Sequence, residues 1–189
     1  MCMLISPREW TVDDLADLPD DGNRYEVIDG ELFVTPAPAL RHQEAVAELA
    51  AILRTYLGRE RVGHAFIAPV DVIFSGRRAV EPDVLVAPLV NGQRPDRNED
   101  LLPLLVAIEV LSPGTARADR VAKRRLYREE GVGEYWIVDL DARAIERTTP
   151  SDARPEILAE ELVWHPAGAS APLVIDLEAY FARVLDLQR

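Results

Sequence analysis

The sequence has little of what disulfide-bonded, zinc-binding or membrane-spanning proteins need. It has one cysteine, Cys2, in 189 residues, so no disulfide can form within the chain and no thiolate cluster is available for zinc. Its histidines, His42, His64 and His165, are scattered and show no metal-ligand spacing. No run of about 18 apolar residues is present to span a bilayer. Any bound metal is therefore expected to have oxygen ligands, which suits Mg²⁺ or Mn²⁺.

Lysine is almost absent. Of the 21 basic residues, 20 are arginine and only Lys123 is lysine. Because the two side chains are nearly interchangeable on a solvated surface, this chain tolerates arginine wherever a generic cation suffices. The single lysine is then either chance or a sign that position 123 requires a compact ammonium group rather than a planar guanidinium.

The formal net charge of −12 argues against a protein that coats nucleic acid through broad electrostatic attraction. A nuclease with a local basic patch is still compatible with it. The first residues, MCMLISPREW, lack the basic-then-apolar pattern of a secretion signal, so we expect a cytoplasmic protein. The length and the hydrophobic content suit a single domain over residues 1–189.

Strand-like and helix-like segments alternate along the chain. Residues 24–36 predict two strands joined by a tight turn at Asp29 and Gly30. A short helix over 11–18 is predicted with Thr11 as its N-cap, and 152–172 shows no clear pattern. The remaining predicted elements are helices at 41–57, 117–130 and 177–187, strands at 62–68, 70–74, 83–87, 104–111 and 135–138, and a hairpin near 144–148. This order predicts an α/β fold with a mixed sheet and helices on its faces.

Two carboxylates stand in otherwise apolar strands. Glu109 lies within LLVAIEVL, where an unpaired charge would cost several kcal/mol, so it must be neutralised, paired or metal-bound. An ion pair with a buried arginine is the alternative to a catalytic role. Asp83 opens the strand of EPDVLVAP, although an aspartate after proline also forms turns. If both meet at one sheet edge, they repel each other unless a cation lies between them.

An ideal helical projection of residues 117–130 places Lys123 at a border. There its ammonium could reach back over the sheet, or it could simply extend to solvent along the helix. The same projection gives a buried face of Ala118, Val121, Ala122 and Leu126, and a solvated basic stripe of Arg117, Arg120, Arg124 and Arg128 that could contact phosphates.

Two further residues are auxiliary candidates. Glu26 in the first hairpin could provide a third carboxylate or be a plain exposed strand acid. His42 falls at the start of the apolar face of its helix, where it could join the site or be a satisfied core or capping histidine. Glu44 and Glu48 point away from that face and are expected to be solvated.

Several segments carry a family resemblance. EPDVLVA, LLVAIEVLSPGT and DRVAKRRLYREEGVGEYWIVD, in this order, resemble the Uma2 family of restriction-endonuclease-like proteins, within the PD-(D/E)XK nuclease superfamily. RYEVIDGEL and PAPALRHQEA resemble its N-terminal half, so the likeness covers about residues 24–139. The resemblance implies a restriction-endonuclease-like fold, a mixed central sheet flanked by helices, and Mg²⁺-dependent hydrolysis of nucleic-acid phosphodiesters, with double-stranded DNA as the expected substrate.

The resemblance also assigns roles. Pro82 and Asp83 match the PD element, and Glu109 matches the second acid. The usual lysine two residues later is missing, because Leu111 stands there, and Lys123 in the following helix is the natural substitute. Asp83 and Glu109 would then bind one or two Mg²⁺ ions, Lys123 would orient water or stabilise the transition state, and the arginine stripe would anchor phosphates.

Two other functions remain open at this point. The protein could be a catalytically silent nucleic-acid-binding or assembly module, or a metal-dependent hydrolase of small phosphoesters. The sequence leaves the oligomeric state open, a homodimer included.

Overall fold

The computed structural model describes residues 8–185, and among them no helix is long and apolar enough to cross a membrane. Cys2 and the end of the predicted C-terminal helix lie outside this range. The strands are β1 Arg24–Ile28, β2 Glu31–Thr35, β3 Gly63–Ile67, β4 Val72–Ser75, β5 Arg78–Val80, β6 Val84–Pro88, β7 Val106–Val110, β8 Glu134–Asp139, β9 Ala144–Thr148, β10 Glu156–Leu158, β11 Glu161–Trp164 and β12 Leu173–Asp176. The α-helices are α1 Leu40–Glu60, α2 Arg124–Glu129 and α3 Leu177–Val184, with 3₁₀ turns at Asp13–Asp17 and Asn98–Asp100 and a π-helix at Ala118–Lys123.

The central sheet is mixed, which confirms the predicted fold class. Its six strands run in the order β10-β9-β8-β7-β6-β3. Strands β7 and β8 pair in parallel, as a helical crossover requires, and the other neighbours pair antiparallel. A second, antiparallel sheet has the order β2-β1-β5-β4, and β11 pairs with β12. The site described below lies where the central sheet, the second sheet and the π-helix meet.

Alternate residues of the central strands enter two different cores. On one face, α1 and α3 pack against even-numbered residues of β6 and β7 such as Val84 and Ile108. On the other face, Leu126 of α2 packs with Leu85 and Ala107. Because side chains alternate between the two faces and both faces are buried, both strands are continuous apolar runs in the sequence.

Most predicted elements are present with shifted ends. The first hairpin is confirmed, and Asp29 (φ 53°) and Gly30 (φ 85°) both take the left-handed conformation that a two-residue hairpin turn favours. The N-cap assignment is wrong: Thr11 donates to the Asp14 carboxylate from its backbone N–H and its hydroxyl, both at 2.8 Å, and only a 3₁₀ turn follows. Strand β5, three residues long, was not predicted, and the unassigned stretch 152–172 contains β10 and β11.

The helix predicted over 117–130 is present, but its first part is a π-helix. A π-helix has more residues per turn than an α-helix, so a projection at 100° per residue assigns the wrong faces. Val121, predicted to be buried, is 63% exposed, whereas Asp119 and Lys123 are buried. The predicted buried face is therefore wrong at Val121, and Lys123 lies on the inner side of the helix rather than at its border.

Candidate active site

The pairing of two central strands places Asp83 across from Glu109. Val84 of β6 faces Ile108 of β7, and the same register continued by one position brings Asp83 opposite Glu109. Residues opposite each other in an antiparallel pair project from the same face of the sheet. Both carboxylates are buried and line one cleft of about 560 Å³.

The ammonium group of Lys123 lies between acids of three elements. Its Nζ is 2.8 Å from Oε1 of Glu26 on β1 and 2.9 Å from Oε1 of Glu109 on β7. Asp119, one helical turn before it, has its Oδ1 at 3.8 Å. Lys123 is 3% exposed, so the alternative of a lysine that extends to solvent is wrong. Glu109 does form a buried ion pair, but with this lysine and not with an arginine.

Electrostatics fix the charge state of the lysine. Burial alone would lower the pKa of Lys123, but the carboxylates of Glu109, Glu26 and Asp119 raise it above the usual lysine value. The group is therefore a permanent cation at neutral pH. Burial raises the pKa of Glu109 well above its usual value; Lys123 opposes this rise, and the nearby Asp83 charge adds to it. Two carboxylates facing each other in the interior create a need for positive charge.

Three donors hold the carboxylate of Asp83. Oδ1 accepts a hydrogen bond from Nη2 of Arg24 at 3.0 Å, and Oδ2 accepts one from the backbone N–H of Val110 at 2.8 Å. Nε2 of His42 is 3.1 Å from Oδ2, so this predicted auxiliary residue does reach the site. Burial alone would raise the pKa of Asp83, but His42, Arg24 and Val110 lower it below the usual value. Asp83 is accordingly a charged, firmly oriented carboxylate.

Glu26 is an inward-facing residue of the site. It is 1% exposed, so the alternative of a plain exposed strand acid is wrong. Besides Lys123, its Oε1 accepts the backbone N–H of Glu81 at 2.8 Å. Glu81 in turn pairs with Nε of Arg24 at 2.7 Å. Strand β1 thus supplies a cation, Arg24, to the cleft and an acid, Glu26, to Lys123.

Sequence reasoning missed Arg24, Asp119 and Tyr127 as site residues. The Tyr127 hydroxyl donates to Oε1 of Glu109 at 3.3 Å. Asp119 is 1% exposed and lines the cleft, and its Oδ1 has no hydrogen-bond partner among residues 8–185. Burial raises the pKa of Asp119, while Lys123 opposes the rise. Two signals were available in the sequence: Arg24 shares a strand face with Glu26, and Asp119 precedes Lys123 by four residues.

The donor set fits a hard divalent cation. Within the described part of the chain, no three His, Cys, Asp or Glu side chains stand together in a metal-binding arrangement. Mg²⁺, however, is commonly held by one or two carboxylates and completes its shell with water and substrate phosphate. A carboxylate can accept about four hydrogen bonds or ligands. Three donors already contact the Asp83 carboxylate, so one position remains for a metal ion. In Glu109, Lys123 and Tyr127 both contact Oε1 and leave Oε2 available to a ligand in the cleft.

The predicted arginine stripe divides into two pairs. Arg120 binds Asp139 at 2.8 Å and Glu146 at 2.6 Å, and Arg124 also pairs with Glu146. These two arginines join the helix to β8 and β9, so the description of a fully solvated stripe is wrong for them. Arg117 and Arg128 are exposed and have no carboxylate partner among the residues described.

The mixed central sheet thus sets two acids opposite each other beside a buried lysine. A crystal structure described as "a putative nuclease belonging to DUF820", from Anabaena variabilis ATCC 29413, has this fold. It is similar to this chain with a TM-score of 0.77 and 22% identity, over 93% of this chain and 99% of that one. The model of the Uma2 family, "Putative restriction endonuclease", matches residues 12–177, and the chain belongs to this family. No curated protein matches the sequence.

Proposed function

We propose that this protein is a Mg²⁺-dependent endonuclease that hydrolyses phosphodiester bonds of double-stranded DNA. One observation carries the proposal: Nζ of Lys123 lies 2.9 Å from Glu109, and Glu109 lines the same cleft as Asp83, one position beyond the last observed pair of β6 and β7. Family membership supports a nuclease. The lysine comes from the helix after β7 instead of from β7 itself, and it reaches the same acid.

Asp83 and Glu109 are the residues that would hold the metal. When bound there, Mg²⁺ would polarise the scissile phosphate and lower the pKa of a bound water. Asp83 is kept charged and in place by Arg24, His42 and the backbone of Val110. Three elements, β1, α1 and β7, therefore orient this one carboxylate.

Lys123 is proposed to act as a fixed positive charge. A lysine whose pKa is raised by surrounding carboxylates does not accept a proton at neutral pH, so it is not a general base. Its ammonium can instead stabilise the additional negative charge that develops on the phosphate in the transition state. Glu26 and Glu109 hold it in position through contacts of 2.8 and 2.9 Å, so little reorganisation is needed during the reaction.

Arg117 and Arg128 are the proposed contacts to flanking phosphates. Both are exposed and free of carboxylate partners within residues 8–185, unlike Arg120 and Arg124. Phosphate contacts of this kind position a duplex without reading its sequence. They would give a local basic surface on a chain of net charge −12.

The experiment is cleavage of supercoiled plasmid in Mg²⁺, in EDTA, and in Mg²⁺ with an excess of a simple phosphodiester. We expect nicking or linearisation in Mg²⁺ alone, and little inhibition by the simple phosphodiester. Mg²⁺-dependent binding without cleavage would favour a silent nucleic-acid-binding module. Rapid hydrolysis of the simple diester with plasmid left intact would favour a small-phosphoester hydrolase.

A further inference from the structure

A second pocket lies at the opposite end of α1 from the cleft. It has a volume of about 330 Å³ and is formed by the last turns of α1, the start of β3 and the loop after β6. The side chains that distinguish it are Arg54, Arg61, His64 and Arg94. His42, which contacts Asp83, is at the other end of the same helix, twelve residues before Arg54. At about 1.5 Å per residue the two sites are roughly 18 Å apart along the helix.

The arginines of this pocket have no carboxylate partner among residues 8–185. Eleven of the nineteen arginines in residues 8–185 lie within 4 Å of a carboxylate: Arg8, Arg24, Arg41, Arg77, Arg78, Arg97, Arg120, Arg124, Arg125, Arg147 and Arg183. Arg54, Arg61 and Arg94 are not among them. Glu60, next to Arg61 in sequence, is engaged elsewhere, because its carboxylate accepts the backbone N–H and the hydroxyl of Ser170 at 2.6 and 2.8 Å.

The positive field in this pocket acts on its histidine. Burial lowers the pKa of His64, and the charges of Arg54 and Arg94 lower it further. The end of α1 contributes about half a negative elementary charge, which favours cations in its last turn. Three guanidinium groups exceed that partial charge and the charge of the neighbouring Glu60 together, so the pocket is net positive. In a chain of net charge −12, this local excess of positive charge favours an anion here.

We propose that this pocket binds a phosphate group, separately from the catalytic cleft. Guanidinium groups form paired hydrogen bonds with phosphate oxygens, and three of them line this pocket with no carboxylate of residues 8–185 within 4 Å. Arg54 donates its Nε–H to the backbone oxygen of Ala65 at 3.2 Å and keeps its two terminal nitrogens for a ligand. The phosphate comes either from a free nucleotide or from the backbone of a nucleic-acid strand. The proposal does not depend on catalysis, because no residue of the cleft takes part.

The test is binding of phosphate compounds to the full chain in EDTA, which keeps divalent metal from recruiting phosphate to the cleft. The probes are inorganic phosphate, AMP and a single-stranded oligonucleotide without terminal phosphates. Binding is measured by calorimetry and by the NMR signals of the His64 ring. The variant Arg61→Ala/Arg94→Ala is compared with Arg59→Ala/Arg154→Ala, which removes the same charge from exposed positions that do not line the pocket.

We expect at least one probe to shift the His64 signals, and the pocket variant to bind it at least about tenfold more weakly than the control variant. Loss of a charge-assisted hydrogen bond has an effect of this size. A response to AMP and phosphate alone identifies a free monoester, and a response to the oligonucleotide identifies a strand backbone. His64 signals that no probe moves, or equal affinities of the two variants, would overturn the proposal.

Discussion

Three buried carboxylates surround one ammonium group, so the members of this cluster differ in what their removal should do. If Glu109 is removed, Lys123 still has Glu26, which lies 2.8 Å from it in the intact protein. The three acids, by contrast, lose the cation that they share when Lys123 is removed. The free energy cost of a buried charge depends on whether its partner remains. In this cluster, loss of Lys123 leaves the three carboxylates without their shared cation, whereas loss of one carboxylate leaves Lys123 with the other two.

The variant Glu109→Ala should therefore stay folded and lose metal binding. Its free energy of unfolding should remain close to that of the wild type, because the remaining acids still neutralise Lys123. Calorimetric titration with Mn²⁺ measures the affinity, and urea unfolding measures the stability. An unchanged Mn²⁺ affinity would exclude Glu109 as a ligand.

The variant Lys123→Leu should lose about 3–5 kcal/mol of stability at neutral pH, as expected when one partner of a buried ion cluster is removed. The deficit should shrink as the pH is lowered, because the pKa values of Glu109 and Asp119 are raised and their protonation removes the uncompensated charge. Urea unfolding at several pH values checks both statements. A deficit that is small, or that grows in acid, would argue against a charged cluster.

At the scale of elements, the helical segment Ala118–Glu129 performs two tasks. Its π-helical part turns Asp119 and Lys123 inward to the cleft. Arg120 and Arg124 bind Asp139 and Glu146 on the neighbouring strands and hold the segment in place. The segment therefore both supplies the lysine and fixes its distance from the sheet.

Two double variants separate these tasks. Arg120→Ala/Arg124→Ala should lower the free energy of unfolding by about 1–3 kcal/mol, because Glu146, which is 8% exposed, loses its partners. Arg117→Ala/Arg128→Ala should leave stability unchanged and reduce the slope of log affinity for DNA against log salt by up to about two. The measurements are urea unfolding and DNA binding at several salt concentrations. A normal salt slope in the second variant would show that DNA does not cross this helix.

For the molecule as a whole, sequence patterns predicted the fold class, the central strands and the inward role of Glu109. The period of two and the long apolar runs are local signals, so they can be recognised in the sequence without knowledge of the fold. The sequence named Glu26 as a possible third carboxylate, but it did not show that Glu26 meets Lys123 or that Arg24 meets Asp83. These contacts join residues that are more than fifty positions apart. The π-helix was not predicted either. The segment was projected as an α-helix, and this projection placed Val121 inside and Lys123 at the border.

In the proposed function, a lysine supplied by the helix completes a two-acid nuclease site. Its role is measured by single-turnover cleavage of a labelled DNA duplex in Mg²⁺, by wild type and by Lys123→Arg. The arginine variant keeps the charge, but its planar guanidinium does not fit the place of the ammonium group between Glu26 and Glu109. We predict a rate about 100- to 1,000-fold lower with Mn²⁺ and DNA affinities little changed. If the arginine variant cleaves as fast as the wild type, Lys123 has no catalytic role.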